Sequence, residues 1–397
     1  RNVWPEAREL HARLQANKAL FEDWENWSRD NDLLNRVYEL LGKDQQAFSE
    51  ADWRDIEAIL SANRERILKI RALAKQGGPL YPLDISKGFA MELPHLGNVR
   101  NFARLLQFDA LMQVRAGNVS DGAANVVAQL QLAGAVSAEP ILISQLVGIT
   151  TSGVASQTLR DAFPPGTLSS AESSRILALL GSAHRRDLFL DALAMEARMG
   201  THFFDMIRTG EFSFDELGVN QPRLPRALMS TPLGGLFINM NEAAYAELMG
   251  ELFQAGELPY YEARPLLEAY EAGAQDIPFY KPIARTLTPA LTNAIAAQAR
   301  HEAAVDLMRL GLALEARHAE TGAYPERLDD IAPELGGLPV DPFTGASYVY
   351  VPSGNTFSLY SIGQNGVDDG GVMHHVSREG DLVWRGVRPK RDVPMAM

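Results

Sequence analysis

The sequence predicts a mainly α-helical protein: a multi-helix body of helical hairpins, ending in a small α+β head where a long helix packs on a short antiparallel sheet. Three observations carry this. Apolar residues recur at helical spacing in segment after segment of residues 1–290, the mark of helices with one buried face. Over 295–321 two apolar stripes run side by side, Val305, Met308 and Leu312 beside Ala304, Leu307, Gly311 and Leu314. A face that wide suits a helix laid across a sheet. Beyond it the pattern changes to short strands, at 348–351, 357–362 and 382–384.

Residues 1–75 divide into three helices. Trp4, Leu10, Leu14, Phe21 and Trp24 form the stripe of the first. The second covers 33–41 and stops at Gly42. Ser49, with Asp52 three positions on, makes a capping box for the third. Its stripe is Trp53, Ile56, Ile59 and Leu60, continued by Ile67, Ile70 and Leu73 up to Gly77-Gly78-Pro79. Residues 77–98 carry Pro79, Pro82 and Pro94 and form an irregular crossing segment, either a domain boundary or a loop packed over a groove.

Residues 99–208 form successive helical hairpins. A helix over 99–116 turns at 117–122 and returns over 123–134, rich in Ala and Leu. This pair resembles a tetratricopeptide-type unit, although no strict repeat period follows. A further apolar helix spans 140–159, and Pro164-Pro165-Gly166 breaks it. Ser169 or Ser170 caps the next, and another runs over 186–207. Pro and Gly crowd 210–235, a second place where the body would subdivide besides 77–98. Helices resume over 237–254 and 261–272, and Pro278, Pro282 and Pro289 lead to the long helix. Gly322 supplies its left-handed stop, with Pro325 close behind. Pro352-Ser353-Gly354-Asn355 turns the first two strands into a hairpin. The expected layout is a body over 1–290, a head over 291–388 and a tail over 389–397.

The chain has 397 residues, 46% apolar and 22% charged, enough for a sizeable core. A formal charge of −13 argues against nucleic acid, whose phosphates need a basic surface. With no cysteine, disulfides and thiolate metal sites are excluded. No run approaches the roughly 20 apolar residues of a membrane helix. Because the chain begins at Arg1, an anchor or signal upstream is the expected route to any membrane.

Four stretches of the head carry a family likeness: Gly322-Ala323-Tyr324-Pro325, Pro339-Val340-Asp341-Pro342-Phe343, Tyr348-Val349-Tyr350 and Ser361-Ile362-Gly363-Gln364-Asn365-Gly366. In this order they resemble the globular head of the major pseudopilins of type II secretion. The likeness covers about a fifth of the chain. It implies a calcium-binding last loop, with Asp381 matching the closing Asp of the family and Asn365 standing where the family has Asp. Asp368 and Asp369 have no counterpart there. The chain departs from the family in placing about 290 helical residues where a filament-forming apolar helix would stand. As a whole it resembles large envelope-associated bacterial proteins of unknown function. That implies a periplasmic or cell-envelope location and this layout, but no activity. A protein partner is expected.

Calcium takes about six to eight oxygen ligands. Asn365, Asp368, Asp369 and Asp381 offer side-chain oxygens, and Gly363, Gly366, Gly370 and Gly371 let backbone carbonyls turn inward. Against this stands a polar turn in which those side chains bond their own backbone. Adjacent His374 and His375 would point to opposite faces of a strand and not ligate together. His301-Glu302 lacks the second histidine of a zinc-protease helix, since Val305 takes its place, and leaves Glu302 a solvated residue. His184-Arg185-Arg186-Asp187 lacks the rest of a kinase site. Glu196 and Arg198 sit on an otherwise apolar helix, either as an ion pair between packed helices or as a functional buried acid. Trp4, Trp24, Trp27 and Trp53 would line a ligand groove or belong to the core.

No motif names a reaction, and a non-catalytic envelope structural or interaction protein is expected. The alternatives are a helical module holding a peptide or lipid in an apolar groove, and a hydrolase with an unrecognised site.

Overall fold

The structure, a computed structural model, describes residues 5–29, 32–41, 43, 48–181, 185–211, 232–274, 282–372 and 380–385. Within them thirteen α-helices accompany one three-stranded antiparallel sheet, so the chain is mainly helical with a small β element, as the periodicity predicts.

The N-terminal part holds four helices rather than three: α1 Pro5–Arg29, α2 Asp32–Leu41, α3 Glu50–Ala62 and α4 Arg64–Lys75. Ser49 and Asp52 form the expected capping box at the start of α3. The unforeseen break is at Asn63, whose Nδ2 donates to the Ile59 carbonyl at 2.9 Å. A side chain that competes for the helix's own backbone in this way favours a helix end. The crossing segment is irregular, with a 3-10 turn at Ile85–Ala90. It is shorter than expected, because Pro94 opens α5 from the first helical turn, where a missing N–H costs nothing.

Helices α5 Pro94–Arg115, α6 Val119–Ser137 and α7 Leu142–Ala162 pack on one another and form the centre of the body. Close approach of α6 and α7 requires Gly148, since a Cβ there would lie 1.9 Å from the Ser137 hydroxyl. A buried polar knot fastens α4 to this trio. Arg71 donates to Asn125 at 2.7 Å and to Asp109 at 2.9 Å, and Asn125 donates to Asp109 at 2.8 Å. Each polar atom so paired escapes the penalty of burial without a partner. Helices α8 Ser170–Gly181, α9 Arg186–Thr209, α10 Pro232–Glu257 and α11 Tyr260–Ala274 complete the body. Ser169 caps α8, accepting from the Glu172 backbone N–H.

The long helix, α12, runs over Pro282–Thr321, beginning well before residue 295 and passing through Pro289. It continues unbroken across residues 290 and 291. It touches α7, α8, α10 and α11, and also β2 and β3. Glu302 is buried on it in a two-pronged ion pair with Arg186 of α9, not solvated. Gly322 ends the helix at φ +76°, as expected. A short helix, α13, follows at Ala332–Leu335.

The strands are β1 Val349–Ser353, β2 Thr356–Ser361 and β3 Leu382–Arg385, in the order β1-β2-β3. Ser353 pairs with Thr356, which leaves Gly354-Asn355 as a two-residue turn. Leu359 and Phe357 bury themselves, and Trp384 of β3 lies directly over Gly311 of α12. Tyr324 closes the helix end, its ring stacked 4.2 Å from His318 and edge-on to Phe357 at 4.8 Å. Contacts that tie this layer to the helices include Arg160 to the Val383 carbonyl at 2.7 Å, the Tyr261 N–H to the Pro342 carbonyl at 2.9 Å, Tyr260 edge-on to Phe343 at 5.2 Å, and Arg300 of α12 to Gln364.

Candidate functional site

The loop after β2 begins at Gly363, where a Cβ would meet the Gly380 carbonyl at 2.5 Å, so the two ends of the loop touch. Asn365 accepts from the Val367 N–H at 3.1 Å and donates to Asp369 at 3.4 Å. Asp368 accepts from the Gly370 N–H at 2.9 Å and from the Tyr360 hydroxyl at 3.0 Å. Asp381 is buried and accepts from two backbone N–H groups, Asp369 at 3.3 Å and Gly371 at 2.6 Å. All four predicted residues thus belong to one closed loop: Asn365 and Asp368 each close a local backbone turn, Asp369 accepts from the Asn365 amide, and Asp381 ties the far end of the loop back to residues 369 and 371.

Burial raises the Asp381 carboxyl above its ordinary value, the two N–H donors pull against it, and nearby Asp368 and Asp369 push it further up. Burial and Asp368 together push the Tyr360 hydroxyl up to about 12. Asp368, Asp369 and Asp381 thus gather negative charge at one side of the loop, while Arg300 bonds Gln364 and the Arg264 guanidinium lies beside Gly366 at its start. Yet among the described residues no three acidic or histidine side chains converge as a metal-holding group. A calcium ion would have to complete its shell of about six to eight oxygens with backbone carbonyls and water. His374 and His375 lie outside the described residues, as do His184, Trp4, Gly42 and the 389–397 tail.

A second polar cluster escaped the sequence. His95 on the first turn of α5 lies 3.0 Å from Glu139, between α6 and α7, and the Ser144 hydroxyl of α7 donates to the same carboxylate at 2.6 Å. Tyr81 stacks on the imidazole at 4.7 Å, nearly parallel. These are the residue types of a hydrolase triad with different wiring: the serine donates to the acid. His95, Glu139 and Ser144 are each 0–1% exposed, so this cluster presents no nucleophile to a substrate. The available signal was Glu139 itself, a charge placed between two apolar helical runs.

The remaining candidates separate. Trp24 is core, packed on Trp27 at 4.9 Å and on Phe102 at 5.2 Å. Trp53 is half-buried beneath the Arg115 guanidinium, 4.5 Å from its ring centre. Glu196 makes no ion pair with Arg198 or with any other described residue, which overturns the expected bridge between helices. Its surroundings are apolar, and burial alone pushes its carboxyl up to about 7.

Comparison with protein-family models, with curated proteins and with solved structures finds no match to this chain. Among the described residues no helix is long and apolar enough to cross a membrane.

Proposed function

We propose that this protein is a non-catalytic structural and interaction subunit of the cell envelope. In this reading a tetratricopeptide-like helical body carries a pseudopilin-like head, with calcium setting the last loop and a protein partner meeting the head. The observation that carries it is the closed loop on the helix-backed sheet. Asp381 is turned inward at its end and Asn365, Asp368 and Asp369 are gathered along it. The open edge of β1, hydrogen-bonded only to β2 among the described strands, is a natural place for a partner strand.

Because the chain has no cysteine, one introduced thiol reports its own position without background. Val351 is 52% exposed on β1. In the full-length protein, Val351→Cys is expected to react with a membrane-impermeant maleimide in intact spheroplasts of the native host. Labelling only after lysis would overturn the envelope location. A melt in calcium against chelator tests the loop, since a ligand selective for the folded state must raise stability. An unchanged melt removes the metal.

A further inference from the structure

Helix α9 buries Phe189, Ala192, Leu193, Met199, Gly200, Phe203, Phe204 and Ile207. Helical spacing places residue 196 on this same face, one turn after Leu193 and one before Met199 and Gly200. The stripe is otherwise apolar, and this position holds Glu196. The helix there is tightly fixed: Tyr245 of α10 lies against Gly200, where a Cβ would fall 2.2 Å from its ring, and donates its hydroxyl to the Glu196 backbone carbonyl at 2.8 Å. The Glu196 carboxylate itself receives no hydrogen bond from a described residue.

Glu196 lines a cavity of about 300 Å³. The walls come from four separate parts of the chain: Phe89 and Met91 of the crossing segment, Ile143 and Leu146 of α7, Met199 of α9 and Leu291 of α12. Among the described residues Glu196 is the single charged one in the lining. The cavity is open to solvent, since Phe89 and Ile143 along it remain 40% and 48% exposed. The volume is within the range of small-ligand pockets.

This chemistry is selective. An anionic ligand would be repelled by the acid. A sugar or nucleotide would find no polar partners on the apolar walls. A neutral hydrocarbon would fill the space while stripping water from a carboxylate that has no other partner among the described residues. An ammonium group on an apolar frame satisfies both the walls and the acid. We propose that this cavity binds a small apolar amine, its hydrocarbon body packed on Phe89, Ile143, Leu146 and Leu291 and its ammonium nitrogen paired with Glu196. The site lies in the helical body and does not rest on the reading of the head.

Octylamine, 1-octanol and octanoate, titrated calorimetrically into the whole protein near pH 8, test this, because the acid is then ionised and the amine protonated. Octylamine is expected to saturate one site at least about tenfold more tightly than 1-octanol, with octanoate weaker than both. Glu196→Gln should erase the advantage of the amine over the alcohol and leave alcohol binding intact. Ala290→Phe, at an exposed helical position on the cavity wall, should abolish binding of both while keeping the acid. This variant tests the site even where Glu196→Gln fails to fold. Equal affinity for amine and alcohol, an advantage that survives Glu196→Gln, unaltered binding by Ala290→Phe, or no saturable binding would each overturn the proposal.

Discussion

The imidazole Nε2 of His95 lies 3.0 Å and 3.2 Å from the two carboxylate oxygens of Glu139, and neither side chain reaches solvent. A pair sealed in this way is weak evidence of net stability, but removing one partner strands the other. Glu139→Leu is expected to cost about 3 kcal/mol or more, since His95 and Ser144 both lose their acceptor. The double variant His95→Leu/Glu139→Leu should lose less than the sum of the two single changes. Urea denaturation of the four proteins measures the difference.

Gln107 of α5 is fully buried, and neither its Oε1 nor its Nε2 has a hydrogen-bond partner among the described residues. Such a group carries its desolvation cost without return. Gln107→Met, of similar length, should stabilise the protein by about 1 kcal/mol. The check is a higher urea midpoint at an unchanged slope.

Gly311 and Trp384 form the contact that seats the sheet. A Cβ at 311 would fall 2.0 Å from the Trp384 Nε1, too close for any small adjustment. Gly311→Ala should therefore destabilise by about 2 kcal/mol, despite the better helix propensity of alanine. Trp384→Leu should recover part of that loss when combined with it, since the obstructing ring is gone. Thermal melts of the double-mutant cycle measure both effects.

Glu196 makes stability depend on pH. Its carboxyl is raised from 4.5 to about 7 in the folded protein by burial, so the folded state holds this proton more tightly than the unfolded chain. Stability from this group is full below pH 4.5, falls as pH rises through about 7 and then levels off. Glu196→Gln should match the wild type near the lower limit. Above pH 7.5 it should exceed the wild type by about 1 kcal/mol or more. Melting temperatures across this range test the sign.

Features that depend on neighbouring residues were legible from the sequence. The Ser49–Asp52 box, the stop at Gly322 and the Gly354-Asn355 turn each arise within a few positions. The wide apolar face of α12 also announced its sheet. Features assembled from distant residues were not legible. His95 and Glu139 are 44 positions apart, and the cavity beside Glu196 draws its walls from four stretches. Asn63 was missed for a different reason: its apolar stripe continues in phase from α3 into α4, and the side-chain bond that parts them leaves no trace in periodicity. In the loop the sequence gathered Asn365, Asp368, Asp369 and Asp381 in one place and offered the self-bonded polar turn that Asn365 and Asp368 make, but the reach of Asp381 across ten and twelve positions to Gly371 and Asp369 became visible only in three dimensions.

Helix α12 spans 40 residues without a break, about 60 Å at the rise of an α-helix. Body helices pack along it, and it also bears β2 and β3. A tug on β3 is therefore delivered along a stiff girder into the middle of the bundle, with no pivot between. Under mechanical load the sheet and the bundle should yield together rather than peel apart, which gives the molecule the character of a strut and not of two beads on a string.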